Sequence, residues 1–173
     1  LYAGQVPLFY LPYFGFPTDK TRRTGLLIPN IGYMQRDGWI YMQPYYIAPD
    51  PSWDLELDPQ IRTVRGKGLN ATFRFADSPY SKGYITGGIF QDTPEYQRDA
   101  AQKYTSIAST HKSHYGLEGK YERSQLLGKS DGSLRDGLFL DFRTMNDSDY
   151  VNLKGFDVIK SYSNLLISRG NYF

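Results

Sequence analysis

The sequence predicts an all-β, antiparallel fold, and three observations predict it. Apolar and polar residues alternate with period two in segment after segment. Turn-forming residues fall between those segments. Most segments run to about ten residues, the length of a tilted membrane-crossing strand, whereas soluble strands average about five or six.

The first pair of strands is expected at 24–33 and 39–48, joined by "QRDG" (35–38). Each carries a proline near its middle, Pro29 and Pro44. Proline has no N–H to give to a β-ladder, so each weakens the hairpin that holds it. A two-residue turn centred on Asp37-Gly38 sets Pro29 opposite Tyr46 and Pro44 opposite Ile31. Centred on Arg36-Asp37, the turn sets the prolines face to face. Either register puts them within one rung of each other and on one face.

After "PDPS" (49–52) comes strand 53–64, with Leu55, Leu57 and Ile61 opposed to Asp54, Glu56, Asp58, Gln60 and Arg62. "RGKG" (65–68) leads to strand 68–77, where Leu69, Ala71, Phe73 and Phe75 oppose Asn70, Thr72 and Arg74. Beyond "DSPYSKG" (77–83) lies strand 83–91. Strand 113–124 sets Tyr115, Leu117 and Tyr121 against Glu118, Lys120 and Glu122. "LLGKSDGS" (126–133) leads to strand 135–145, where Leu138, Leu140 and Phe142 oppose Phe139, Asp141 and Arg143. A further strand starts near 162. By parity, the two longest connections, 92–112 and 146–161, share one side of the sheet with "QRDG" and "RGKG". Outer-membrane barrels segregate long loops from short turns in this way.

Composition narrows the function. The chain has 173 residues, a net charge of +2 and no cysteine. The near-balance of charge argues against nucleic acid as a partner. Without cysteine there is no disulfide framework or thiolate metal site in this stretch. Aromatic residues make up 16%, yet the mean hydropathy is -0.54. That combination suits strands apolar on one face only, in a membrane barrel or in a soluble, aromatic-rich glycan-binding β-sandwich. Long strands, aromatics near strand ends (Tyr33, Trp39, Tyr45, Tyr46, Trp53) and lopsided loops favour the barrel. Seven or eight strands are too few to enclose a wide lumen, no signal peptide is visible, and the chain opens in mid-pattern. It is read as a fragment of a larger transmembrane β-barrel.

No catalytic constellation emerges, and the chain is expected not to be an enzyme. His111 and His114 lie three apart with no ligand-type residue at metal-binding spacing beside them. "GKS" (128–130) lacks the earlier glycine of a phosphate loop, Arg123 standing in its place. Asp54, Glu56 and Asp58 form a row along one strand, not a pair of acids across a cleft. No cofactor and no metal is expected.

The ordered string "VPLFYLPYF", "RRTGLLIP", "PYYIAP", "DLELDP" and "RGKGL" resembles the LptD family, also called OstA. These outer-membrane proteins insert lipopolysaccharide into the outer leaflet. The resemblance is strong over residues 6–76 and looser at "FRTMNDSDYVNLKGF". It implies residues 1–17 as the exit from a periplasmic β-jellyroll and 18–173 as the first part of the barrel. It also implies a cell outer membrane location in Gram-negative bacteria, with the N-terminal end facing the periplasm. Implied partners are lipopolysaccharide, outer-membrane lipid, the plug lipoprotein LptE, the periplasmic bridge protein LptA and, during folding, the barrel-assembly machinery. Pro29 and Pro44 are then expected to loosen a lateral gate for the lipid A tails while the saccharide passes through the lumen. Lys20, Arg22 and Arg23 would meet lipopolysaccharide phosphates, or form a solvated loop. Asn70, Thr72, Arg74, Glu118, Lys120, Glu122, Asp141 and Arg143 would line the lumen. A general diffusion porin is the other barrel reading.

Overall fold

Segments that alternate apolar and polar side chains pair edge to edge, because pairing satisfies their backbone groups and sorts their side chains onto two faces. The structure, a computed structural model, describes residues 2–3, 6–7, 22–103, 111–125, 136–154 and 168–172. Two short strands, β1 (Tyr2–Ala3) and β2 (Val6–Pro7), pair with each other. Ten more form one antiparallel sheet. They are β3 (Gly25–Leu26), β4 (Asn30–Met34), β5 (Gly38–Met42), β6 (Tyr45–Asp50), β7 (Trp53–Arg62), β8 (Gly66–Ser78), β9 (Ser81–Asp92), β10 (Ser113–Ser124), β11 (Gly137–Met145) and β12 (Arg169–Tyr172).

The sheet is an up-and-down meander. β3 and β4 are two parts of one interrupted strand, as are β5 and β6, so the ten strands fill eight positions. Each position is hydrogen-bonded to its sequence neighbours, and the sheet stays open between β3/β4 at one edge and β12 at the other. The fold is therefore all-β and antiparallel, a barrel fragment with the expected number of strands. The meander also bears out the parity reading, since the connections after β4, β7, β9 and β11 lie at one end of the sheet.

The two faces carry opposite chemistry. Along β8, Leu69 and Phe73 are exposed, whereas Asn70 is 4% exposed. The same face as Leu69 shows Leu26 (70% exposed), Ile31, Trp39, Ile61, Ile85, Ile89, Tyr115, Leu117, Leu140 and Phe142 to the outside. Asp54, Gln60, Arg62, Thr86, Asp92 and His114 are buried on the other face. A soluble sandwich does the reverse, packing its apolar faces together and wetting its charged ones. Contiguous apolar surface of this extent marks contact with a partner or with lipid.

Among the described residues, two short helices occupy the long connections, where the period-two reading offers no element. α1 (Pro94–Lys103) opens with proline at its first position, and the Thr93 hydroxyl accepts the Tyr96 N–H at 3.3 Å, an N-cap. α2 (Asp149–Leu153) is capped by the Asp147 carboxylate, which accepts the N–H groups of Asp149 (2.9 Å) and Tyr150 (3.1 Å). Among the described residues the strongly buried apolar side chains are Ile40, Met42, Phe90, Tyr150 and Leu153. The last two belong to α2, and the first three lie on the polar face of the sheet. α2 thus covers a small apolar patch on an otherwise polar wall.

Candidate functional site

The turn of the first hairpin has three residues, not two. Gln35, Arg36 and Asp37 separate the paired residues Met34 and Gly38, and the Asp37 N–H closes the turn on the Met34 carbonyl at 3.1 Å. Gly38 follows with φ +76°, a left-handed conformation that a glycine takes without strain. From there β4 and β5 stay in register as far as Asn30 opposite Met42. Past the prolines, Leu26 faces Tyr45 and Gly25 faces Tyr46. Three residues of the first strand (Leu27, Ile28, Pro29) thus span the same stretch as two of the second (Gln43, Pro44). The extra residue makes a β-bulge.

The bulge corrects both registers expected from sequence. The Leu27 N–H donates to the Pro44 carbonyl at 2.9 Å, so Pro44 faces Leu27, and Ile28 and Pro29 together face Gln43. The prolines remain within one rung of each other but on different faces. Pro44 is buried, in step with Ile40 and Met42, whereas Pro29 is exposed. Both strands are interrupted at their proline, but the extra residue belongs to the first strand alone. The second strand runs along β7 in one register from Ile40 opposite Arg62 to Ile47 opposite Leu55, with the Gln43 N–H reaching the Pro59 carbonyl at 3.1 Å across the gap.

Pro44 has no N–H to return to the Leu27 carbonyl. The Gln43 side chain stands in for it. Its Nε2 donates to the Leu27 carbonyl at 2.8 Å and to the Pro44 carbonyl at 3.2 Å, and its Oε1 accepts the Tyr41 hydroxyl at 2.9 Å. Sequence reading passed over Gln43 because its role depends on the bulge.

The residues expected along the lumen do lie together on the polar face. Arg74 grips Asp54 (2.6 Å) and Glu56 (2.7 Å). The hydroxyls of Thr72 and Thr86 are 3.1 Å apart. Arg143 pairs with Glu118 at 3.1 Å, Lys120 with Glu122 at 2.6 Å, and Glu122 also with Lys82 at 3.5 Å. Asp141 stands opposite Lys120 in the ladder, and the Asn70 amide donates to the Lys154 carbonyl at 3.5 Å. Of the basic cluster before the first strand, Lys20 lies outside the described residues. Arg23 is exposed, and Arg22, also exposed, pairs with Asp54 at 3.2 Å.

At the long-loop end these charges converge, and Arg65, Asp92, Asp147 and Asp149 there are residues that sequence reading did not single out. Arg65, fully buried, pairs with Asp92 at 2.9 Å and with Asp149, and lies 3.8 Å from Asp37. Asp37 in turn pairs with Arg62 and with Arg36. His114 is held between Asp92 (2.9 Å) and Asp147 (2.7 Å). The carboxylates that sequence spacing did not place beside His114 are brought there by the fold. Arg62 and Arg65 also lie over the Phe90 ring, each 5.6 Å from its centre. Every one of these residues stands at a strand end or in a connection on the same side of the sheet, so the network ties all four connections together.

α2 is held to the wall by this network. The Gln60 amide donates to the Leu153 carbonyl at 2.7 Å, Lys154 pairs with Glu118, and Arg36 lies 3.6 Å from Asp149. Tyr150 sits over the facing pair Gly88 and Gly116. A side-chain carbon built on Gly116 would come within 2.3 Å of the Tyr150 ring, so the approach requires glycine there. Burial, with the Glu118 charge adding to it, pushes the Tyr150 phenol up to about 12. Burial would also raise the Asp149 carboxyl, but Arg65, Asn152 and Arg36 outweigh it and hold Asp149 below the ordinary carboxylate value.

No family model matches the chain. Curated proteins do. LPS-assembly protein LptD of Coxiella burnetii is 43% identical over 81 residues, covering 47% of this chain and 9% of that protein. LptD of Pasteurella multocida is 44% identical over 82 residues, covering 47% and 10%. LptD of Acinetobacter baylyi is 36% identical over 107 residues, covering 62% and 13%. The chain is similar to a segment of LptD. It spans about a tenth of the length of these relatives. The chain itself is an open antiparallel sheet with one apolar face.

Proposed function

We propose that the chain is the beginning of an outer-membrane barrel that delivers lipopolysaccharide to the outer leaflet. Residues 18–173 would be barrel and residues 1–17 the exit from a periplasmic jellyroll. The observation that carries this reading is the inversion of the faces: apolar side chains bare on one side of the sheet, charged ones enclosed on the other. Lipid hydrocarbon satisfies the first, and a wet lumen the second. The saccharide moves along the polar wall from Asn70, Thr72 and Arg74 to Glu118, Lys120, Glu122, Asp141 and Arg143. The lipid A tails leave sideways at the edge strand. Lys20, Arg22 and Arg23 meet lipid A phosphates at the periplasmic end, where the exposed Arg22 exchanges its single contact with the buried Asp54 for a bidentate one.

Pro29 and Pro44 loosen the gate at that edge. A diffusion porin would share both faces, but it has no use for a bulged and proline-broken first strand, and likeness to LptD adds weight to the translocon. LptE in the lumen, LptA at the periplasmic end and the barrel-assembly machinery during folding are the partners this reading entails. No covalent chemistry is assigned to the chain.

The test is Pro29→Ala with Pro44→Ala in the intact protein, with arrival of lipopolysaccharide at the cell surface as the readout. Restoring two backbone donors should tighten the strand and slow arrival. Unchanged arrival, in a variant that is made and inserted normally, would remove the gate from this proposal.

A further inference from the structure

Gln43 faces the apolar side of the sheet, in step with Trp39 and Tyr41. A carboxamide turned toward hydrocarbon is costly unless its polar atoms are satisfied. Here both ends are engaged: Nε2 by the Leu27 and Pro44 carbonyls, Oε1 by the Tyr41 hydroxyl. The Leu27 carbonyl is the acceptor that Pro44 leaves without a ladder donor. Leu27 and Pro44 form the position where an antiparallel pair exchanges two backbone bonds, and only the bond from Leu27 to Pro44 is made.

We infer that Gln43 is a positioning residue, a side-chain latch that replaces the backbone bond deleted by Pro44 and holds the first strand on the second at the bulge. This inference rests on the proposed gate and names the contact that must break when the first strand moves. Below the bulge, among the described residues, Gly25 and Leu26 pair with β6 and the Thr24 hydroxyl accepts the Ala48 N–H at 2.9 Å. The latch and the Leu27 bond hold the first strand on the second between that short lower segment and the firmly paired β4. A backbone bond at this position would be part of a cooperative ladder. A carboxamide can rotate away and back about its own side-chain torsions while the second strand stays fixed to β7. The gate can thus loosen at one edge without unravelling the wall behind it.

The test is a double-mutant cycle read by hydrogen exchange over residues 24–34 of the intact protein, folded in detergent. Gln43→Leu keeps the volume and removes both donors. It should lower protection of the Leu27 amide by roughly tenfold, the equivalent of one hydrogen bond. In the Pro44→Ala background residue 44 supplies its own N–H to the Leu27 carbonyl, so Gln43→Leu should then change protection by less than about twofold. An equal loss in both backgrounds, or no loss in either, overturns the latch. The readout contains no transport step, so the latch can fail while lipopolysaccharide delivery stands, and delivery can fail while the latch stands.

Discussion

Asp149 sits where burial and ion pairing act against each other, and pairing wins. Its carboxyl is held below the ordinary value by Arg65, Asn152 and Arg36 despite the burial that would raise it. A depressed carboxylate stabilises the state in which it is paired above its unfolded value, ~3.9, and that stabilisation drains away as pH falls through the lowered folded value. Docking of α2 should therefore be unaffected between about pH 7 and 5 and weaken below about pH 4. Amide exchange at Tyr150–Leu153 measures it. Asp149→Asn should remove much of this acid dependence, and a variant with an unaltered acid profile would assign the anchoring elsewhere in the network. None of this was legible in the sequence. Asp37, Arg65, Asp92 and Asp149 are scattered over more than a hundred positions, and only the strand pairing brings them to one end of the wall.

Strands were the easiest elements to read and the first hairpin the hardest. β8 and β10 follow directly from their alternation, because a period of two leaves a strand one way to sort its faces. The first hairpin defeats that logic. Its turn holds three residues rather than two, and its first strand carries an extra residue at Ile28-Pro29, so counting from the turn misplaces both prolines. The prolines themselves were a correct signal of interruption, but the Gln43 contact was not deducible without the bulge. α1 was announced by "TPE", a cap followed by proline, which alternation-based reading overlooks. On β8 the two faces make a direct contrast. Phe73→Arg puts a charge into hydrocarbon and should cost about 2–4 kcal/mol near the bilayer centre. Thr72→Arg, one residue away on the polar wall, should cost far less. Urea titration of folding into lipid vesicles distinguishes them, and equal penalties would contradict the assignment of faces.

Taken whole, the molecule inverts the arrangement of a soluble protein. Apart from the small apolar patch under α2, the enclosed surface among the described residues is polar and rich in Asp and Arg, and the open surface is rich in Leu, Ile, Phe and Tyr. The inversion was visible as alternation, yet alternation alone does not say which face meets water. That required knowing which side chains are covered, and α2 with the ion network covers the charged ones. The segment holds no cysteine, so single labels can be introduced into it one position at a time. The direct measurement is spin-label accessibility in the intact protein in a lipid bilayer, at Thr72, Phe73, Arg74 and Phe75 and again at Leu140, Asp141, Phe142 and Arg143. Labels at Phe73, Phe75, Leu140 and Phe142 should be reached by oxygen dissolved in the lipid, and labels at Thr72, Arg74, Asp141 and Arg143 by a water-soluble nickel chelate. Accessibility that fails to alternate, or that alternates in the opposite phase, would contradict the placement of lipid on one face and a polar lumen on the other.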